Sequence, residues 1–217
     1  MTQPPAIAVF SDVICPWCFV GKRRLEGALR ELGAGAEITW LPFELNPDMP
    51  AEGMTRADYR ARKFGPDRSR ELDANMTELG REEGIAFAFD RIARTPNTRK
   101  AHALIAHASR LGQANAVVEA LFRAYFEEAL DIGDPGVLAD IADRQGLERE
   151  AAMAALSDPE LHDEVVTREG EAARLGASGV PFFVVDRTWA ISGAQPSAAW
   201  VDALRQIASQ REQARAG

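Results

Sequence analysis

Both cysteines of this 217-residue chain fall in one tetrapeptide, Cys15-Pro16-Trp17-Cys18, set between a short apolar run and a helical pattern. The run Ile7-Ala8-Val9-Phe10 is long enough for a buried strand. Val20, Leu25, Ala28, Leu29 and Leu32 then recur at helical spacing until Gly33 and Gly35 interrupt them. Glu37 to Phe43 reads as a second strand. Two strands bridged by a helix of this length form a βαβ unit with the strands parallel. A C-x-x-C pair beside such a unit is a specific signal of a redox dithiol.

From about Pro50 to Leu156 the pattern is helical only. Thr55 with Asp58 reads as an N-cap with an acidic partner, and Asp134-Pro135 and Asp158-Pro159 read as capped helix starts. Leu72, Met76 and Leu79 mark one helical face, Ala101 to Leu111 a second, and Val118 to Phe126 a third. Pro181 to Val185 and Trp189 to Ser192 then read as a hairpin, followed by a last helix carrying Trp200, Leu204 and Ile207. Its final turns, Gln210 to Gly217, are polar and expected to fray. The order β-α-β, helical block, α-β-β-α predicts an α/β chain. Residues 1–48 and 157–217 would build one four-stranded sheet domain with helices on both faces, and 49–156 an inserted helical domain.

The motif has a mechanical logic. The first amides of a helix lack intrahelical partners, and the helix dipole adds positive potential there. A thiolate at Cys15 is thereby stabilised, and its pKa is expected below that of a free thiol. Pro16 suits the first helical position because it has no amide hydrogen to leave unpaired. Cys18 lies one turn on, within disulfide reach. The expected arrangement is an exposed nucleophile, Cys15, and a resolving thiol, Cys18. A structural zinc site would need four ligands, and no third cysteine exists. His102 and His107 sit about 140° apart around a helix and are expected at surface or capping positions, so no metal is expected.

A second constellation is Ser178-Gly179-Val180-Pro181-Phe182-Phe183. A proline at the first residue of a strand is tolerated as a plain turn. It also fits a cis-proline loop, which would leave the Val180 backbone unpaired beside Cys15 to pair with an extended substrate. Pro16, Trp17, Val180 and Pro181 are the candidate substrate contacts.

Composition sets limits. Acidic residues number 33 against 25 basic, for a net charge of −8, which argues against a nucleic-acid binder. No apolar run approaches a membrane span. Met1-Thr2-Gln3-Pro4-Pro5 shows no basic, apolar or cleavage segment of a leader, so a cytoplasmic protein is expected. A cysteine pair in that compartment is more often redox-active or metal-binding than structural.

The CPWC motif, the Gly179-Val180-Pro181 loop and the helical insertion together resemble the DsbA-like thioredoxin superfamily. Further segments are similar to its FrnE-type branch: Phe19-Val20-Gly21-Lys22, Pro42-Phe43-Glu44-Leu45-Asn46-Pro47, Pro96-Asn97-Thr98 with Ala101-His102, and Ile191-Ser192-Gly193-Ala194-Gln195-Pro196. The resemblance implies a thiol–disulfide oxidoreductase with Cys15 as nucleophile, Cys18 as resolving thiol and Pro181 as cis-proline. It implies no cofactor beyond the Cys15–Cys18 disulfide, with glutathione open as a co-substrate. Partners would be disulfide- or thiol-containing proteins or small molecules, and a homodimer through the insertion is left open. The alternative is a glutathione-dependent isomerase or transferase similar to 2-hydroxychromene-2-carboxylate isomerase and the kappa-class transferases, which typically carry serine where Cys15 stands.

Two departures from the pattern matter. Exported DsbA enzymes typically carry histidine where Trp17 stands. Many thioredoxin-fold enzymes hold a buried acid on the first strand as a proton relay, whereas Ile7-Ala8-Val9-Phe10 carries none and leaves Asp12 and Glu44 as the nearby substitutes for that role. Asp12 and Glu44 are the nearby carboxylates, expected as capping or surface groups. Tryptophan is neutral, and Lys22, Arg23 and Arg24 are expected to be solvated and screened. The Cys15 pKa is then expected between about 3.5 and about 8.5, and the pair less oxidising than the roughly −120 mV of DsbA.

Overall fold

In the computed structural model, which describes residues 4–216, the first apolar run becomes β1 (Ala6–Ser11) and the helical pattern after it becomes α1 (Pro16–Glu31). Met1 to Gln3 and Gly217, on which the expectations about a leader and a frayed end partly bear, lie outside the described residues. Then come β2 (Glu37–Pro42), β3 (Met54–Thr55), α2 (Arg56–Phe64), α3 (Pro66–Glu82), β4 (Arg94–Thr95), α4 (Arg99–Arg110) and α5 (Ala114–Phe126). The chain continues through α6 (Pro135–Arg144), α7 (Arg149–Ala155), α8 (Pro159–Arg174), β5 (Phe182–Val185), β6 (Trp189–Ser192) and α9 (Ser197–Ala216). This is the DsbA-like thioredoxin fold.

The main sheet has the order β2-β1-β5-β6, with β2 parallel to β1 and the other neighbours antiparallel. Strand side chains alternate between faces, and here both faces are buried. Ile7, Val9, Phe183 and Val185 join the core that holds Phe19 of α1 and Trp200 of α9, while Phe10, Phe182 and Val184 pack with Ala172 of α8. The sheet is therefore a middle layer, which explains why β5 reads as an unbroken apolar run.

The segment between β2 and α8 is not purely helical, as the sequence suggested. Met54–Thr55 and Arg94–Thr95 form a two-stranded antiparallel ladder. Two-residue strands carry no periodicity to read. The expected N-caps are present: Thr55 accepts the Asp58 amide, and Asp134 accepts those of Gly136 and Val137.

The core runs without a break from the sheet into these helices. Phe19 stacks on Phe122 at 5.0 Å, and Phe87, Phe89 and Phe126 extend the aromatic cluster. Each buried aromatic contributes about 2–3 kcal/mol of apolar burial, so this cluster fixes α1 against α5 and thereby fixes the direction in which its first turn points.

Candidate active site

β1 runs into a tight turn, Asp12 to Ile14, that delivers Cys15 as the N-cap of α1 in an extended conformation (φ −91°, ψ 111°), with Pro16 in the first turn. The Cys15 amide donates to the Asp12 carbonyl at 3.0 Å, and the Cys18 amide to the Cys15 carbonyl at 3.0 Å. Among the described residues no side chain caps the helix at Cys15, and its sulfur stands at the positive end of the helix.

On the other side is the loop before β5. The Val180–Pro181 peptide bond is cis. The Cys15 thiol donates to the Val180 carbonyl at 3.6 Å, so this carbonyl is not unpaired as expected. Pro181 lies against Gly21 of α1: a Cβ there would stand 2.9 Å from Pro181 Cγ and 3.3 Å from the Phe183 ring. Gly21 thus lets the loop close onto the helix.

Cys15 is 4% exposed, a correction to the expected exposed nucleophile, because Val180 and the neighbouring helices roof it. Cys18 is buried more deeply, and both thiols are free. Burial is the main reason the Cys18 thiol is held well above its ordinary pKa. Contact with Cys15 raises it further, and the Ser11 hydroxyl and Asp12 amide pull it part of the way back. Trp17, by contrast, is 46% exposed at the rim.

Asp12 and Glu44 are buried, a correction to the surface placement expected from sequence, while Asp12 does cap backbone amides. Asp12 accepts the Leu45 amide at 2.7 Å and the Ile14 amide at 3.3 Å, which ties the cysteine turn to the segment after β2. Glu44 binds Arg99, with Nε at 3.0 Å, and its amide donates to Glu169 of α8. Burial pushes the Glu169 carboxyl up, and the Glu44 charge adds to this. His102, expected at a surface or cap, is 3% exposed and places Nε2 3.6 Å from Asp12 Oδ1. It lies on the inward face of α4, whose first turn starts with Arg99. The segment carrying it was visible in the sequence only as a similarity.

Lys22, Arg23 and Arg24 are paired rather than solvated. Lys22 is buried against Glu26 and Glu119, Arg23 reaches Glu119 at 2.5 Å, and Arg24 reaches Glu83 at 2.5 Å. Burial alone would raise the Glu119 carboxyl, but its bonds to Arg23, Lys22 and Arg123 prevail and hold it at about 2. These cations are neutralised locally.

A groove of about 380 Å³ opens over Cys15. Its walls include Pro16, Trp17, Val180, Arg56, Tyr59, Lys63, Phe89 and Tyr125. Arg56 and Arg60 share Asp73, whereas Lys63 bonds only to the Tyr59 hydroxyl (2.7 Å) and the Asn46 amide oxygen (3.4 Å) among the described residues. Nothing in the sequence marks these basic and aromatic walls, because α2 and the sheet meet only in the fold. Among the described residues no cluster of three His, Cys, Asp or Glu side chains could hold a metal, and no helix is long and apolar enough to cross a membrane.

A helix-capping dithiol beside a proline-bearing loop, on this sheet, defines a thioredoxin-type protein. Residues 6–205 match the family model of the DSBA-like thioredoxin domain, and the chain belongs to that family. It is similar to a probable DsbA oxidoreductase, SCO1869, from Streptomyces coelicolor: 34% identity, 93% of this chain and 89% of that one, TM-score 0.85. 2-Hydroxychromene-2-carboxylate isomerase shares the fold at 17% identity, covering 96% and 98% of the two chains with a TM-score of 0.74. So does the cytosolic disulfide reductase DsbM from Pseudomonas aeruginosa, at 20% identity, 94% and 99% coverage and a TM-score of 0.71; DsbM has also been solved with GSH.

Proposed function

We propose that this member of the DsbA-like family is a thiol–disulfide oxidoreductase that uses Cys15 as nucleophile and Cys18 as resolving thiol. The observation that carries this reading is the Cys15 thiol, placed at the uncapped start of α1, held by the Val180 carbonyl and facing the groove, with Cys18 buried behind it. Cys15 thiolate attacks a substrate disulfide, one substrate sulfur leaves as thiolate, and a mixed disulfide remains on Cys15. Cys18 thiolate then attacks Cys15 Sγ, the second substrate thiolate leaves, and the Cys15–Cys18 disulfide forms. Run backwards, the same steps oxidise a substrate dithiol.

Pro16, Trp17, Val180 and Pro181 are assigned as substrate contacts around the sulfur, and residues from 49–156 supply the far wall. Arg56, Arg60 and Lys63 outnumber Asp73 on that wall, which suits an anionic thiol such as glutathione as the co-substrate that restores the dithiol. The segments similar to the FrnE-type branch support placing the chain there, and the likeness to DsbM supports a cytoplasmic setting. With Trp17 neutral and the nearby cations paired, the couple should be less oxidising than the roughly −120 mV of DsbA.

The fold shared with 2-hydroxychromene-2-carboxylate isomerase favours a second reading, a glutathione-dependent isomerase. Insulin reduction and glutathione conjugation, assayed side by side, separate the two. Insulin reduction lost in Cys15→Ser, with no conjugation in wild type, is expected. Conjugation or isomerisation that survives Cys18→Ser without disulfide reduction would overturn the dithiol reading.

A further inference from the structure

A second cavity, of about 310 Å³, opens between β2, α4 and α8. None of the residues lining it lines the groove over Cys15. Its walls are apolar, with Val13, Ile105, Val118 and Val165 buried along them. Trp40 adds ring surface only, because its indole N–H is already donated to Asn115 at 3.1 Å.

Two polar side chains interrupt this lining at the buried end. Ser11 is 5% exposed and His102 3%, and neither Ser11 Oγ nor His102 Nε2 has a hydrogen-bond partner among the described residues. Asp12 Oδ1, 3.6 Å from Nε2, stands just out of reach. Orphaned buried polar atoms are rare and costly. Water alone fits the cavity badly: each water takes about 30 Å³ and needs two to four polar partners, and the apolar walls offer none. Apolar walls with a few placed polar groups are the pattern of a small-molecule site, and such pockets start at about 300 Å³. At the open end, exposed Arg110 and Arg168 face one lining carboxylate, Glu164, at 2.9 and 3.8 Å. Glu171, which is not part of the lining, shares Arg168 at 3.4 Å.

We propose that this rear cavity binds a small aromatic acid carrying a hydroxyl at the end far from its carboxylate. The ring packs between Trp40 and the valines. The hydroxyl pairs with Ser11 Oγ and His102 Nε2, and the carboxylate faces Arg110 and Arg168 at the mouth. A phenol both donates and accepts, so it serves the serine and either tautomer of the imidazole. Size agrees: a cavity of about 150 Å³ takes one benzene, and twice that volume takes a ring with a short acidic arm. The inference stands on the cavity itself and does not depend on the oxidoreductase reading.

The test is titration calorimetry of the whole protein with 4-hydroxyphenylacetate and 3-(4-hydroxyphenyl)propionate. At least one should bind wild type with a Kd on the order of 0.1 mM. Cys15→Ser should bind it equally, which separates this cavity from the groove. The analogue without the hydroxyl should bind about tenfold more weakly, because Ser11 and His102 then stay unpaired. Ser11→Ala should weaken the hydroxylated acid about fivefold and leave that analogue unchanged. The amide in place of the carboxylate should cost about threefold, as expected of an exposed ion pair. Ser109→Trp, at an exposed position on the mouth, should abolish binding. No binding of either acid up to about 10 mM would show a cavity that holds only water and would overturn the proposal. So would binding lost in Cys15→Ser, equal affinity with and without the hydroxyl, or Ser11→Ala weakening both acids alike. If Ser11→Ala does not fold, the ligand series on wild type decides.

Discussion

The first turn of α1 and the two turns after it are built on opposite principles. At Cys15 to Cys18 the polar groups have few partners: one thiol on one carbonyl, an uncapped helix start and an exposed tryptophan. At Lys22 to Glu26 every charge is matched, with Glu119 alone receiving Lys22, Arg23 and Arg123. The difference shows where chemistry and stability are kept. Saturated ion pairs anchor the helix to α5, and the unsaturated turn is left free to exchange bonds. Gly21 marks the border, where the helix backbone gives way to Pro181.

That contrast predicts where substitutions cost folding and where they cost exchange. Glu119→Gln should have the largest effect on folding, because it leaves Lys22 and Arg23 short of an anion. The folded carboxyl, at about 2, lies below its ordinary 4.5. Its contribution is therefore present above pH 4.5 and lost as pH falls through 2. Urea unfolding should show a loss of roughly 3 kcal/mol at pH 7, shrinking towards pH 2. Gly21→Val comes next. The added carbons meet Pro181 and Phe183, at a cost of about 1–3 kcal/mol for overpacking. Its exchange rate should fall further than that of Glu119→Gln, since the clash displaces the loop at Cys15.

Smaller effects should come from the open turn. Trp17→His places a titratable cation beside the thiolate of the reduced form, so the potential should become more oxidising by about 30 mV at pH 6. The change should fade by pH 8 as the imidazolium deprotonates; glutathione-buffer equilibration with thiol alkylation measures it. Lys63→Ala removes a solvent-facing cation from the groove. The KM for oxidised glutathione should rise about threefold, and less in 1 M salt. An equal rise at both salt concentrations would show that Lys63 acts through packing.

Local signals read well in this chain. The strand before Cys15, the helix after it, the Asp-Pro helix starts and the β5–β6 hairpin all follow from apolar period, caps and turn residues within a few positions. The cysteine motif was legible for the same reason. What was not legible depends on partners far away in sequence. Lys22 reads as a solvated lysine unless Glu119 is known to meet it. Asp12 reads as a cap, which it is, but nothing near it in sequence shows that His102 of α4 meets it. The groove's far walls come from α2, α3 and α5, whose own patterns say only that they are helices. Charge alone does not reveal burial when the neutralising carboxylate lies about a hundred residues on.

The central claim, that Cys15 attacks and Cys18 resolves, is tested most directly by trapping. Reduced Cys15→Ser and Cys18→Ser proteins, each with one thiol left, are incubated with oxidised glutathione at pH 7.5 and weighed intact by mass spectrometry. The account predicts a persistent glutathione adduct on Cys15 in Cys18→Ser and none in Cys15→Ser, whose remaining thiol is buried and held protonated. An adduct that forms readily on Cys18, with Cys15 left unmodified in the other variant, would contradict it.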